Sequence, residues 1–307
     1  MSKSNKNMVV GADLKPTPER LLQMLEKFND RQAVEIRKQF ARGVLNDGHV
    51  QALIEHRNPF VWPKPPRPPL TILDQIVSDC QQALRRKLPQ KYAFVDPLPA
   101  SVTEEVVARL ARYNMRLVFL PGLEIAEDLK LRNWVMPPPR FYQWMRDDKI
   151  AKDAATLRRG WYAADFTLGV DYTDGSQMMS DPWVPLIMRL REEGRVGKHD
   201  KTPAGSRFSI MPQDEWETLL TSMASFGELQ FPRANVRLER YIEFNAIGNL
   251  YDPNRGKFNM WEWFADQFGD SSRLLGGSRG FGGLAHVYYH WHDNRHGLVA
   301  ARPLVVL

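Results

Sequence analysis

Leu284-Ala285-His286-Val287-Tyr288-Tyr289-His290-Trp291-His292 is the stretch on which the reading of this chain turns. From Ala285 onward the residues alternate in character. Ala285, Val287, Tyr289 and Trp291 take one parity, and His286, Tyr288, His290 and His292 take the other. Successive strand side chains point to opposite faces, so this pattern predicts a half-buried strand. The apolar parity suits a core, and the imidazoles and phenol of the other parity suit solvent or a partner. Asp293-Asn294-Arg295-His296-Gly297 then has turn chemistry. A closing apolar run, Leu298 to Leu307, follows it. The expectation is a terminal hairpin whose outer face and tip form the working surface.

Upstream of this stretch the glycines of Gly276-Gly277, Gly280, Gly282 and Gly283 permit tight loops with positive φ. Trp261 and Trp263 share a parity and read as buried anchors. Pro212, with Asp214 and Glu215 behind it, is good helix-start chemistry, and Trp216, Leu219, Leu220 and Met223 then recur on one side. From Trp161 on, short apolar pieces alternate with turns such as Asp174-Gly175, and a helix is expected from Val184 to Glu193.

The first half has a different character. Thr17-Pro18-Glu19 starts a helix, with Leu21, Leu22, Leu25 and Phe28 as its stripe. A second short helix follows Asp47-Gly48, completing a mainly helical region over residues 1–57. Residues 58–70 are a proline-rich, extended linker. Residues 71–159 form an α/β intermediate segment. A helix spans about Thr71 to Lys87, Tyr92 to Val95 is strand-like, Ser101-Val102-Thr103-Glu104 resembles a capping box, and Met115 to Leu120 is a strand. Residues 160–307 form the last domain, so the expected class is α+β.

At 307 residues, 43% hydrophobic and 25% charged, the chain has the composition of an ordinary globular protein. No apolar run reaches the roughly 18–20 residues a membrane crossing needs, and no secretory apolar segment follows the basic start, so a cytoplasmic protein is expected. A single cysteine, Cys80, rules out an intrachain disulfide and a cysteine zinc site. The net charge of +6 comes from dispersed pairs such as Arg85/Arg86 and Arg158/Arg159, a pattern of solvated helix faces, and nucleic acid is not an expected partner.

Three pieces, in order, carry a family resemblance. Ser206 to Glu217 looks like the "YRLPTEAEWE" segment of formylglycine-generating-enzyme-like domains, Lys257 to Asp266 like their "GNVWEWxxD", and Arg273 to Ser278 like "RVxRGGSW". Ala301-Arg302-Pro303-Leu304 falls where that family has its closing "GFR" strand. The resemblance covers about residues 160–307 and implies a C-type-lectin-like fold. The oxidases of the family use a cysteine pair that this domain lacks, so oxidase activity is not expected. The cluster His290, His292 and His296 is the candidate metal site: His290 and His292, two apart on a strand, share a face, and only His286 or Asp293 offers a third ligand of suitable orientation. No metal or other cofactor is assigned, and a divergent metal-dependent enzyme of the same fold stands as the alternative reading.

The same fold serves the variable proteins of diversity-generating retroelements, which this chain resembles in architecture. Their variable positions lie on the outer face just before the closing strand. Ser278, Arg279, Phe281, His286, Tyr288, His290, His292, Asn294, Arg295 and His296 lie there and have the matching composition. The implied function is non-enzymatic binding of a protein or other macromolecule. Phe281, Tyr288 and Arg295 would be its anchors, the histidines adaptable polar contacts, and the N-terminal helices a tether or an oligomer contact.

Overall fold

The computed structural model describes residues 70–171 and 177–307, with Val34, Glu35, Lys38, Gln39 and Arg42. Apart from those five residues, the expected N-terminal helices lie outside the described residues, as do the proline-rich linker to Pro69 and the turn at Asp174-Gly175. Contacts divide the chain into Met1–Pro69 and Leu70–Leu307, and every element named below belongs to the second unit.

That unit opens with α1 (Ile72–Lys87), started by a capping box in which the Thr71 hydroxyl accepts from the Asp74 N–H. A short 3₁₀ turn at Gln90–Tyr92 follows, the strand expected from Tyr92 to Val95 does not form, and α2 (Glu104–Arg112) comes next. Its cap is Thr103, which accepts from the Val106 N–H, two residues later than the Ser101 start expected from the capping-box pattern. Next come β1 (Met115–Leu120), β2 (Leu123–Glu124), α3 (Pro139–Arg146), β3 (Thr156–Leu157) and β4 (Gly160–Asp165). They are followed by α4 (Val184–Glu192), α5 (Glu215–Ala224), β5 (Val236–Leu238) and α6 (Tyr241–Leu250). The chain closes with β6 (Trp261–Phe268), β7 (Ser272–Gly276), β8 (Val287–Trp291), β9 (Val299–Ala301) and β10 (Pro303–Val306). The architecture is mixed α+β. Among the described residues no helix is long and apolar enough to cross a membrane.

Two four-stranded sheets carry the fold. The first has the order β1-β4-β10-β5, all antiparallel, so residues 71–159 and 160–307 share it. The second has the order β8-β7-β6-β9, with β6 and β9 parallel. Helix α6 packs against β1 of one sheet and β6 and β7 of the other, and it is buried on nearly every side. Its polar side chains are accordingly matched: Glu243 takes both Arg237 Nη atoms at 2.7 Å, and Asn245 Oδ1 takes the Trp134 indole N–H at 2.9 Å.

The expected terminal hairpin does not form. Strand β8 pairs only with β7, while the closing run splits at Arg302: β9 joins the second sheet and β10 enters the first between β4 and β5. Val299 to Val305 is buried on both parities, which is the signature of strands covered on both faces rather than of a surface ribbon.

A buried ionic network lies at that crossover. Arg207 binds Asp181 through Nε at 2.7 Å and Nη2 at 2.5 Å, and Asp165 through Nη1 at 2.5 Å. Arg302 binds Glu262 at 2.9 Å, and Arg255 binds Glu239 and Asp252. Burial alone would lower the Arg207 pKa, but Asp165 and Asp181 more than offset this and hold it charged. Glu239 differs. Three guanidiniums face five carboxylates here, Glu239 Oε1 has no partner, and burial next to Glu262 pushes the Glu239 carboxyl up to about 8 despite Arg255. A folded-state pKa above the unfolded one means that the Glu239 contribution to stability is complete below the unfolded value. It drains away as pH rises toward the folded one. Glu239→Gln is therefore expected to gain on the parent protein between pH 5 and 7 by up to about 1.4 kcal/mol per pH unit. Urea melts at successive pH values measure this, and a gap that stays constant with pH would show Glu239 to be ionised in the folded state.

Candidate functional site

The surface built by residues 278–296 begins at a close approach of two strands. A Cβ on Gly276 would stand 2.1 Å from the His286 carbonyl oxygen, so only glycine lets β7 and the start of β8 come together there. Gly277, at φ +87°, turns the chain, and its N–H donates to the same carbonyl at 3.2 Å. The loop is then tied to α6. The Leu284 carbonyl accepts from the Tyr241 hydroxyl and from Asn245 Nδ2, each at 3.0 Å.

Two of the residues expected on display are interior. Ser278 is fully buried and donates from its hydroxyl to Asn259 Oδ1 at 2.8 Å. His286 is 2% exposed, edge-on to Trp261 at 4.4 Å and stacked on Phe281 at 5.2 Å. Its Nδ1 accepts the Ser278 N–H, and burial, helped by Arg140, lowers its pKa to about 4. A neutral ring wedged between two aromatics is a structural element, held inside because the chain closes against Gly276 and Gly277 at His286, one residue before β8 begins. Arg295, expected as an anchor, is likewise engaged. It forks onto Glu215 at 2.8 and 2.6 Å and donates to the Ser209 carbonyl at 2.7 Å. Burial would raise the Glu215 pKa, but Arg295 and the N–H groups of Met211 and Gly197 hold it below the usual range.

The remaining residues do reach the surface. Arg279 is exposed and pairs with Asp171 at 3.2 Å. Phe281 is 63% exposed and leans on Trp261 at 5.2 Å, and Tyr288 is 45% exposed. His290, His292, Asn294 and His296 are half-buried. His290 stands edge-on to Trp263 at 6.4 Å and to His296 at 5.5 Å. The His292 carbonyl accepts the Gln213 N–H, and His296 Nδ1 accepts the Leu298 N–H. Burial, with His290 and His199 nearby, lowers the His296 pKa. Among the described residues no group of three or more His, Cys, Asp or Glu side chains is arranged to hold a metal ion.

Of the core parity expected for β8 only Val287 is buried, in a cluster with Leu274, Phe264 and residues of α3 and α6, while Tyr288 is exposed as expected. Tyr289 and Trp291, expected in the core, are 36% and 64% exposed. The physical reason is position. Strand β8 is the edge of its sheet, and the helical layer buries its first residue but only borders Tyr289, through Trp144 of α3. Tyr289 instead stacks on Phe268 at 3.8 Å, with Trp144 edge-on to both rings. The working strand therefore shows aromatic side chains on both of its faces. No family model matches this chain, and neither does any curated protein or solved structure.

Proposed function

We propose that this is a binding protein of the C-type-lectin type. Its working surface is the edge strand β8 with the Phe281 loop, and it engages a protein partner without chemistry. The resemblance to the variable proteins of diversity-generating retroelements is the basis for the family assignment. One observation carries the functional reading. Among the described residues five aromatic side chains are exposed by more than a third, and four of them, Phe281, Tyr288, Tyr289 and Trp291, fall within eleven residues. Large rings exposed together on a pinned backbone give contact area at low cost in conformational entropy, which is what an interface anchor requires. The frame behind them is rigid. Val287, Leu274 and Leu275 are buried, and the loop before β8 is hydrogen-bonded to α6.

The combined change Tyr288→Ala, His290→Ala, His292→Ala separates display from structure. The unfolding free energy should fall by no more than about 1 kcal/mol, as for surface substitutions. Affinity for a bound partner should drop by at least tenfold, the loss of a single anchor. A variant that fails to fold would make these residues structural. At the level of the gene, a neighbouring reverse transcriptase and a near-copy of the 3′ end that differs at adenines would establish the retroelement class.

A further inference from the structure

We infer that the partner protein presents a carboxylate side chain to Arg273, directly under the exposed face of β8. The inference rests on the binding reading above and supplies the chemistry of its ligand.

Arg273 lies in β7 and is the register partner of His290, with Tyr288 opposite Leu275 two pairs further on. Directly paired residues of adjacent strands share a face, so the Arg273 guanidinium belongs to the face of Tyr288, His290 and Trp263. Most other arginines withdrawn from solvent in this unit have their charge matched; Arg109, which also lacks a carboxylate, donates to the Glu228 carbonyl at 3.2 Å. Arg207, Arg237, Arg240, Arg255, Arg295 and Arg302 each have a carboxylate oxygen within ion-pair distance. Arg191 lacks one, but its three guanidinium nitrogens donate to the carbonyls of Gly197, Pro203, Ala204 and Phe208. Arg273 has neither. It donates through Nη1 alone, to the Ala265 carbonyl at 3.1 Å and the Phe264 carbonyl at 3.5 Å, and its Nε is buried with no partner.

Two further polar atoms on the same face are buried and unpartnered, His290 Nδ1 and the Trp263 indole nitrogen. Burying a polar group without a partner is unfavourable, and most buried ones are satisfied. Here three share the face of Tyr288 and His290. Guanidinium, imidazole and indole together ask for an acceptor, and a guanidinium fork fits a carboxylate best. A polyanion is the poorer match. One guanidinium is available rather than a stripe, and exposed Asp270 and Asp293 flank β7 and β8.

The probe is a random peptide library on phage, panned against the full chain, keeping only peptides whose binding is lost with Tyr288→Ala. These should share an Asp or Glu at one position. Changing that residue to Asn or Gln should weaken binding roughly 10- to 100-fold, the range for a charge-assisted hydrogen bond. Against Arg273→Gln the acidic and amide peptides should bind alike, and Arg273→Lys should restore part of the difference. Because the exchange on the peptide leaves the protein untouched, the test stands even if Arg273→Gln loosens the strand it helps to hold. Peptides that need Tyr288 but carry no shared acid would overturn this inference and leave the binding reading intact. If no Tyr288-dependent peptide emerges, both fall. Heparin or random-sequence DNA competing better than the acidic peptide would mark a polyanion site and overturn it as well.

Discussion

Arg207→Met is expected to lower the free energy of unfolding by about 3–5 kcal/mol, the cost of breaking a buried ion pair from one side. Arg207 is fully buried and is the shared partner of Asp165 and Asp181, both of them interior, and it also donates to the Ala301 carbonyl at 3.2 Å. A methionine fills much of the space but leaves Asp181 without its fork, and leaves Asp165 with Arg302 at 3.9 Å as its remaining carboxylate-to-guanidinium contact. Water cannot repair this cheaply, since both carboxylates are enclosed. The acid limb gives a second readout. Burial would raise the Asp165 pKa, but Arg207 and Arg302 hold it below the usual carboxylate value, so its contribution is present at neutral pH and is lost as pH falls through the folded-state value. The variant should therefore be less stable at pH 7 and lose less on acidification. A chemical-denaturation series at pH 7 and below tests both. A loss under about 1 kcal/mol would mean that the network is incidental to the fold.

The network also explains which parts of this fold could be read from residues alone. Two of the three pieces that carried the family resemblance, and the closing strand, contribute to it. Arg207 comes from the first, Glu262 from the second, and Arg302 from the closing strand. Each is unremarkable locally, and the partners are far apart in the chain, so the pairing could not be read from the residues. Helix α1 was legible because its cap and its four-residue period are local signals, as were β1 and α4. The capping pattern at Ser101 to Glu104 misplaced the start of α2 by two residues because it contains two hydroxyl residues able to cap.

The candidate site shows the opposite limit. Alternation along β8 states that neighbours point to opposite faces, but not how far the covering layer extends, and that decides whether Tyr289 and Trp291 are core or surface. His286 has the polarity of a displayed residue and becomes interior because Gly276 and Gly277 fold the chain onto its carbonyl. Arg295 finds its partner Glu215 across 80 residues, with no local mark of the pairing. Arg273 escaped notice for a related reason. What distinguishes it is a partner it lacks, and no pattern of residue types records that.

Trp263→Ala is the second large effect, and it joins frame to surface. Trp263 is 1% exposed, pairs with Leu275 on β7 and Ala301 on β9, and meets His290 edge-on. Truncation removes an indole from a site closed by two neighbouring strands that cannot collapse freely, and a loss of about 3–5 kcal/mol is expected. The same change takes the floor from under His290, so binding should fail even under conditions where the variant stays folded. Trp263→Phe is the discriminating control. The phenyl ring keeps most of the packing, and the substitution deletes a buried N–H that has no partner, which offsets part of the lost contact area. A cost of about 1 kcal/mol with binding retained would show that Trp263 acts through packing alone. Loss of binding in the phenylalanine variant, at near-normal stability, would instead mean that the indole N–H itself meets the partner.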